Sequence, residues 1–337
     1  MKELIEKIAR KEKIDERLSK TLMLNIVDRE VPGEQIAGLL VALRVKGESP
    51  EEIAGFVEGI LEKAVKPELG DLRPDIDTCG TGGDGKNTWN ISTAVSLLLA
   101  SDGVKVAKHG NKGISSKSGS ADVLEALGIK TKLNPEEIFL YLKKFNFAFI
   151  FAPLYHPSMK RVAEIRKNLG IRTIFNLLGP LTNPCFPETQ IIGVPDADIL
   201  LKLSKAANIL NRKILFYTSK AGFDEAIPGD TVYINSSEDP DKTIQIDTSQ
   251  FKLSIPGEDE LKVSSSQESA QRIFELFSSH REPDRSVIAL NSAIAYLALQ
   301  KVKDLKQGIE RALEVLKSGK PRELIQRLRR ENVNKDN

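Results

Sequence analysis

Two cysteines, three histidines and one tryptophan in 337 residues leave little material for several common chemistries. Cys79 and Cys185 are too few and too far apart for a disulfide framework or a thiolate zinc site. Cys79 borders a glycine-rich loop, where a small buried thiol is a simpler reading than a nucleophile. Charge of one sign is missing too. Forty-nine lysines and arginines against 47 acids leave a net charge of +2, so no global field draws in nucleic acid. The basic run Arg327 to Arg330 sits beside acidic residues and reads as a solvated helix end. No apolar run approaches bilayer length, and Met1 to Lys7 carries no apolar signal region. The expectation is a soluble, cytoplasmic protein with neither a membrane nor a nucleic-acid partner. Repeats and low-complexity tracts are absent. A 40% hydrophobic content at this length supports a large core and two domains.

What the chain does have is a pair of glycine-rich loops about twenty residues apart. Gly80, Gly82, Gly83 and Gly85 punctuate the first, and Gly110 and Gly113 the second. Each follows a strand-like stretch and leads into a helix-like one. Glycine allows close backbone approach to a ligand, and a helix N-terminus presents free N–H groups to it. The first loop spells GxGxxG, but the next helix begins only near Ser92, so the dinucleotide context fits poorly. The Walker pattern GxxxxGK[ST] is absent. A Gly-Thr-Gly-Gly turn is also a common tight strand-to-helix connection. Behind it, however, stand Thr88, Asn90, Ser92 and Thr93, more polar side chains than capping by Ser92 requires. The second loop offers Lys108, His109, Asn111 and Lys112, then Ser115, Ser116, Ser118 and Ser120, before a helix from Asp122 to Leu127 closed by Gly128. A capped polar loop is the bland alternative. Hydroxyls, amide and lysine together also suit phosphate and sugar.

Residues 2 to 66 read as helices throughout, with apolar spacing at Leu4, Ile5, Ile8 and again at Ile36, Leu39, Leu40, Leu43. Pro32 suits a first helical turn, and Ser49 to Glu52 spells a capping box with proline at the first helical position. Pro67 to Pro74 reads as a linker. From Asp75 strands and helices alternate: strands at 76–78, 104–107, 148–152, 190–194 and 214–218, with less regular ones at 231–234 and 243–246. Helices close the chain at 269–278, 287–299 and 305–316. This alternation predicts an α/β fold, a mainly parallel central sheet flanked by helices, beside a smaller all-helical domain. The site is expected at the carboxyl ends of the strands.

Two further constellations stand out. Lys160, Arg161, Arg166 and Lys167 lie on one short helix after His156, and Gly179 to Pro184 forms a rigid turn that reads as a hinge. Arg172 is assigned to the turn at Gly170. Asp224 and Glu225 are adjacent carboxylates in a loop after the fifth strand. Such a pair is ordinarily solvated, yet a ligand with several phosphates commonly arrives with Mg²⁺, which takes one or two carboxylates.

In combination, Gly80 to Gly85 with Asn90 to Thr93, Lys108 to Asn111 with Ser118 to Asp122, His156 to Lys160 with Arg166, and Gly179 to Pro184 closely resemble the anthranilate phosphoribosyltransferases. The resemblance covers nearly the whole chain, including Ala289 to Ser292. Ser158 and Phe223 depart from the family's usual alanine and leucine, and residues 235–285 match poorly. The resemblance implies a nucleoside phosphorylase/phosphoribosyltransferase-like fold, with a helical domain over residues 1–70 joined by a returning segment near 160–186. An α/β domain would span 71–337, and dimers would form through the helices. It implies 5-phosphoribosyl 1-diphosphate and anthranilate as substrates, and Mg²⁺ as cofactor, in tryptophan biosynthesis. By matching position, the diphosphate substrate would meet Gly80, Gly83, Asp84, Thr88, Asn90, Ile91, Ser92, Thr93, Lys108, His109, Gly110, Asn111, Lys112, Gly113, Ile114, Ser115, Ser116 and Ser120. Gly80, Asn111 and Arg166 would meet anthranilate. Ser92, Asp224 and Glu225 would hold the metal, and Lys108, His109 and Asn111 would act in catalysis. A pyrimidine nucleoside phosphorylase, which shares the first loop, and a non-catalytic nucleic-acid-binding relative are the rival readings.

Overall fold

The computed structural model describes residues 2–28, 31–82, 84–113, 118–278 and 281–333. Four helices open the chain: α1 (Lys2–Ala9), α2 (Glu16–Val27), α3 (Gly33–Lys46) and α4 (Pro50–Glu62). The start of α4 follows from its sequence. Ser49 accepts from the Glu52 N–H, the Glu52 carboxylate accepts from the Ser49 N–H at 2.9 Å, and Pro50 needs no partner for a missing N–H. Pro32 sits one position earlier than expected, as the residue flanking α3 rather than within its first turn.

A seven-stranded sheet follows. Strands β1 (Ile76–Gly80), β2 (Val106–Gly110), β3 (Phe147–Phe151), β4 (Thr189–Gly193) and β5 (Ile214–Ser219) are parallel in the order β3-β2-β1-β4-β5. β3 is Phe-Ala-Phe-Ile-Phe and is buried throughout, as a strand covered on both faces must be. β6 (Thr231–Ser236) and β7 (Asp239–Asp247) extend the sheet antiparallel beyond β5. This pair is an antiparallel hairpin whose register shifts between Asn235 and Ser236, in keeping with the irregular strands expected at 231–234 and 243–246. Asp239-Pro-Asp at its start conceals a nine-residue edge strand that is mostly exposed and so lacks apolar alternation.

Helices α5 (Ile91–Ser101), α6 (Ser120–Ala126), α7 (Pro135–Phe145), α8 (Ala152–Tyr155), α9 (Lys160–Leu169), α10 (Phe175–Leu178) and α11 (Ala197–Ile209) connect the parallel strands. α12 (Glu258–Leu261), α13 (Ser266–Leu276), α14 (Asp284–Ala298), α15 (Leu305–Lys317) and α16 (Lys320–Val333) end the chain. Two cores result. One lies between the sheet and α5, α6, α7, α14, α15 and α16. The other joins α1 to α4 with Val162, Ile174 to Leu181, α11 and the opposite sheet face at Cys79, Ile192 and Phe216.

The chain runs β1, β2, β3 in one direction and then returns to place β4 on the other side of β1. The order therefore reverses between β1 and β4, whose carboxyl ends, Gly80 and Gly193, are partners in register. A ligand crevice belongs there.

Candidate active site

Side-chain alternation along β1 and β2 distributes the polar groups. Lys108 and His109 are strand residues, not loop residues, because β2 runs on to Gly110. Successive side chains of a strand point to opposite faces. Lys108 is buried and donates to the Thr78 carbonyl at 2.6 Å and to the Ser92 hydroxyl at 3.3 Å, towards α5. Burial lowers its pKa, with Asp77 opposing that shift. His109 lies on the other face, its ring edge-on to His156 with centroids 5.3 Å apart. Burial, then His156, drives the His109 pKa down to about 3, and burial takes His156 to about 4. Both rings are neutral at physiological pH.

The helix after the first loop starts at Ile91, with Asn90 flanking it, so Ser92 is inside the first turn rather than the cap. Asn90 has other work. Its Oδ1 accepts from Ser118 at 2.7 Å and from Ser269 at 2.9 Å, and its N–H donates to Ser269 at 2.9 Å. These bonds tie the first loop to the second and both to α13. Trp89, fully buried, donates its backbone N–H to the Leu261 carbonyl at 3.0 Å. The stretch Thr88 to Thr93 is thus held rigidly at the mouth of α5, and the Thr93 hydroxyl is buried without a protein partner.

In the second loop, Asn111 accepts at its carbonyl from the Ala121 N–H at 3.2 Å and the Ser120 hydroxyl at 3.4 Å. Asp122 does not open the next helix. α6 starts at Ser120, and the Asp122 carboxylate accepts from Gly113 N–H at 2.8 Å and Gly119 N–H at 3.1 Å, closing the loop on itself. Lys112 pairs with Glu125 at 2.8 Å on the surface. Gly83, Ile114, Ser115 and Ser116 lie outside the described residues.

The acid pair is not solvated. Asp224 and Glu225 are buried, and one oxygen of each lies within 4.8 Å of the other and of Asp84. Asp224 accepts from Gly82 N–H at 3.0 Å, and the Thr88 hydroxyl donates to Glu225 at 3.4 Å. Burial, then the Asp84 charge, raises the Asp224 carboxyl to about 6; burial and Asp224 push Glu225 well up. Three converging carboxylates, one Asp84 oxygen of which is buried and unpartnered, are a hard-cation donor set. Two glycines make this arrangement possible. A Cβ at Gly193 would collide with the Asp224 carbonyl oxygen, and one at Gly80 with its carboxylate. Asn291 of α14 holds the loop from behind, accepting from Ala226 N–H at 3.0 Å and donating to the Ala226 carbonyl at 2.8 Å.

The structure therefore gathers Gly80, Asp84, Thr88, Asp224 and Glu225 at the switch point, with Ser92 against Lys108 rather than bonded to the carboxylates. Arg166 is half-buried in the last turn of α9, its guanidinium 5.6 Å from the centre of the Phe175 ring, and burial lowers its pKa. Arg172 does not serve the turn at Gly170. It donates to the Gly82 carbonyl at 3.2 Å and so reaches the first loop. Sequence reasoning had Asp84 as a contact of the diphosphate substrate but missed it as the third carboxylate, because the Asp224-Glu225 pair lies far along the chain from it. It also missed Ser269 and Asp77, which no local pattern marks, and had Asn291 only within the matching stretch Ala289 to Ser292, with no role.

Comparison with known proteins bears on the fold and the family. Residues 72–322 match the profile of the glycosyl transferase family a/b domain, and residues 2–64 that of the family's helical bundle domain. The chain is 43% identical over 332 residues to the anthranilate phosphoribosyltransferase of Sulfurisphaera tokodaii, covering 96% of this chain and 94% of that one. The crystal structure of anthranilate phosphoribosyltransferase from Thermus thermophilus superposes with a TM-score of 0.89 at 35% identity, covering 96% and 97% of the two chains. The Saccharomyces cerevisiae enzyme, solved in complex with PRPP and Mg, also gives 0.89, at 26% identity and 99% coverage of both. These likenesses favour neither a nucleoside phosphorylase nor a non-catalytic relative. Identity at this level over nearly the whole length, on one shared fold, means that the chain belongs to the anthranilate phosphoribosyltransferase family.

Proposed function

We propose that the protein transfers the phosphoribosyl group of 5-phosphoribosyl 1-diphosphate to the amine of anthranilate, giving N-(5-phosphoribosyl)anthranilate and diphosphate in tryptophan biosynthesis. The observation that carries this reading is the trio of a half-buried Asp84 and the buried Asp224 and Glu225 facing the glycine loop at the switch point. Three carboxylates pressed together in this way favour a divalent cation, and a diphosphate substrate brings one. Mg²⁺ held by Asp84, Asp224 and Glu225, with Ser92 directly or through water, would offset the charge that grows on the leaving diphosphate.

The chain's own residues do the rest. The C1–oxygen bond to diphosphate breaks, the ring oxygen shares the positive charge, and the amine nitrogen forms the new bond to C1. Lys108, the amides at the start of α5 and the hydroxyls of Thr88, Ser92, Thr93 and Ser120 bind and orient the phosphates, with Asp84, Asn90, Ile91 and the backbone from Gly110 to Gly113 lining the cradle. Gly80, Asn111 and Arg166 receive anthranilate. The arylamine is neutral near pH 7 and loses its proton only after bond formation, to water or to the released diphosphate. His109, with its pKa near 3, is no proton store; its buried Nε2, which has no protein partner, acts as a hydrogen-bonding group.

Residues 1–70 with 160–186 form the helical part and 71–337 the α/β part, closing on one another about 67–74 and 179–184. An open apolar cavity of about 490 Å³ between α1 and α3, edged by Ile5, Val41, Val45 and Leu169, supports pairing of two copies through the helices. Among the described residues no helix is long and apolar enough to cross a membrane, which fits a cytoplasmic enzyme. The test is to mix pure protein with both substrates and Mg²⁺ and follow the loss of anthranilate fluorescence. No loss with either Mg²⁺ or Mn²⁺ would refute the proposal.

A further inference from the structure

Asp77 lies in β1, three residues before the glycine loop, and is completely buried. Its carboxylate accepts from three separate segments. Oδ1 takes the His109 backbone N–H of β2 at 3.1 Å, and Oδ2 takes Asn183 Nδ2 at 2.9 Å and Gln190 Nε2 of β4 at 3.2 Å. The two amide donors are themselves anchored. Asn183 Nδ2 also reaches the Ala107 carbonyl at 2.8 Å, and Gln190 Nε2 the Pro180 carbonyl at 2.9 Å. One carboxylate therefore locks the end of β2, which bears Lys108 to Asn111, to the Gly179–Asn183 turn.

We propose that Asp77 is a positioning residue that sets the grip of Lys108 to Asn111 on phosphoribosyl diphosphate by pinning the end of β2 to the turn at 179–183. The inference rests on the transferase reading above. The chemistry is specific to an ionised acceptor. All three neighbours are donors, so an asparagine at 77 would turn an N–H₂ towards a donor in either orientation, and the end of β2 would have to shift. Burial holds the Asp77 carboxyl up to about 6, against the lowering effects of Lys108 and the three donors. The other titratable groups facing it are Cys79 and Cys185, whose thiols burial raises, and the neutral rings of His109 and His156 lie beyond the backbone it binds. Ionised Asp77 is the form that positions β2.

The test uses the full-length enzyme with saturating Mg²⁺. Asp77→Asn should lower kcat/KM for phosphoribosyl diphosphate roughly 30- to 300-fold, with the KM for anthranilate changed less than about threefold. Gln190→Met is the milder second variant, because it keeps the side-chain length and leaves Asp77 two donors. It should lower the same kcat/KM about three- to tenfold and move the acid limb of its pH profile upwards, since a donor that favours the ionised form is gone. Gln190 makes no bond to Asp224, so that shift reports Asp77 and not the metal site. If Asp77→Asn does not fold, Gln190→Met alone decides. A loss of thermal stability in either variant with kcat/KM and the acid limb unchanged would overturn the proposal and make Asp77 a structural residue. Failure of the wild-type enzyme to consume anthranilate would instead refute the transferase reading.

Discussion

Replacing Asp224 by asparagine should stabilise the metal-free protein while destroying its turnover. Asp224 is held up from 3.8 to about 6 by burial and by Asp84. A carboxyl whose folded-state pKa lies above its unfolded value contributes stability that is fully present below about pH 4 and lost as the pH rises through about 6. At about pH 8 the ionised group then costs on the order of 3 kcal/mol, at 1.36 kcal/mol for each tenfold change in proton affinity. Asparagine removes that cost. It also weakens the acceptor for Gly82 N–H, at about 1 kcal/mol. The balance is about 2 kcal/mol in favour of Asp224→Asn, a rise of about 3 °C in Tm for a chain of this size. Thermal unfolding with excess chelator at about pH 8 should show the variant melting higher, with the gap shrinking towards about pH 4.5. Mg²⁺ with diphosphate should reverse the order, because only the wild-type protein keeps the full donor set. A variant that melts lower than wild type in chelator, or a gap that does not change with pH, would refute the repulsion on which the metal assignment stands.

Gly193→Ala would force its Cβ into the Asp224 carbonyl oxygen, costing about 1–3 kcal/mol in thermal unfolding and displacing the acid loop, so Mg²⁺-dependent turnover should fall with it. Asn291→Ala releases both bonds to Ala226 and should raise the Mg²⁺ concentration needed for half-maximal activity by roughly 10- to 100-fold, with little change in the KM for anthranilate. Arg166→Ala removes a half-buried guanidinium and should raise the KM for anthranilate roughly 30- to 1000-fold, from about 2–4 kcal/mol for a charge-assisted contact, leaving that for phosphoribosyl diphosphate nearly constant. An equal rise in both would shift the acceptor role towards Arg172, which reaches the first loop.

The five parallel strands were visible in the sequence, because each holds short apolar stretches such as Phe147–Phe151 or Ile191–Ile192 between turn residues. Strand ends were harder. Lys108 and His109 are polar and look like loop, yet burial on both sheet faces and ladder pairing with Phe149 and Ile150 keep them in β2. β7 was seen only in part, at 243–246, for the opposite reason: an exposed edge strand imposes no alternation on its residues, so its start at Asp239 left no mark. At the site, the glycine loops and the Asp224-Glu225 pair were legible as clusters of chemistry-bearing residues. Asp77 and Ser269 were not, and Asn291 stood out only as part of a matching stretch, without a role. Their partners stand 32 to 179 residues away in the chain, so their roles exist only once β2, the acid loop and α13 have been brought together. Arg172 was legible as a cation but not as a partner of Gly82.

The central claim is that the crevice between β1 and β4 holds the diphosphate through a cation seated on the acid trio. Crystals grown with phosphoribosyl diphosphate and Mn²⁺ in place of Mg²⁺ test it directly, because manganese can be located by its anomalous scattering. The expected result is a peak bonded to oxygens of Asp84, Asp224 or Glu225, with the diphosphate lying against Gly80 to Gly82 and the start of α5. A diphosphate bound there with its manganese away from all three carboxylates, or bound elsewhere on the molecule, would contradict it.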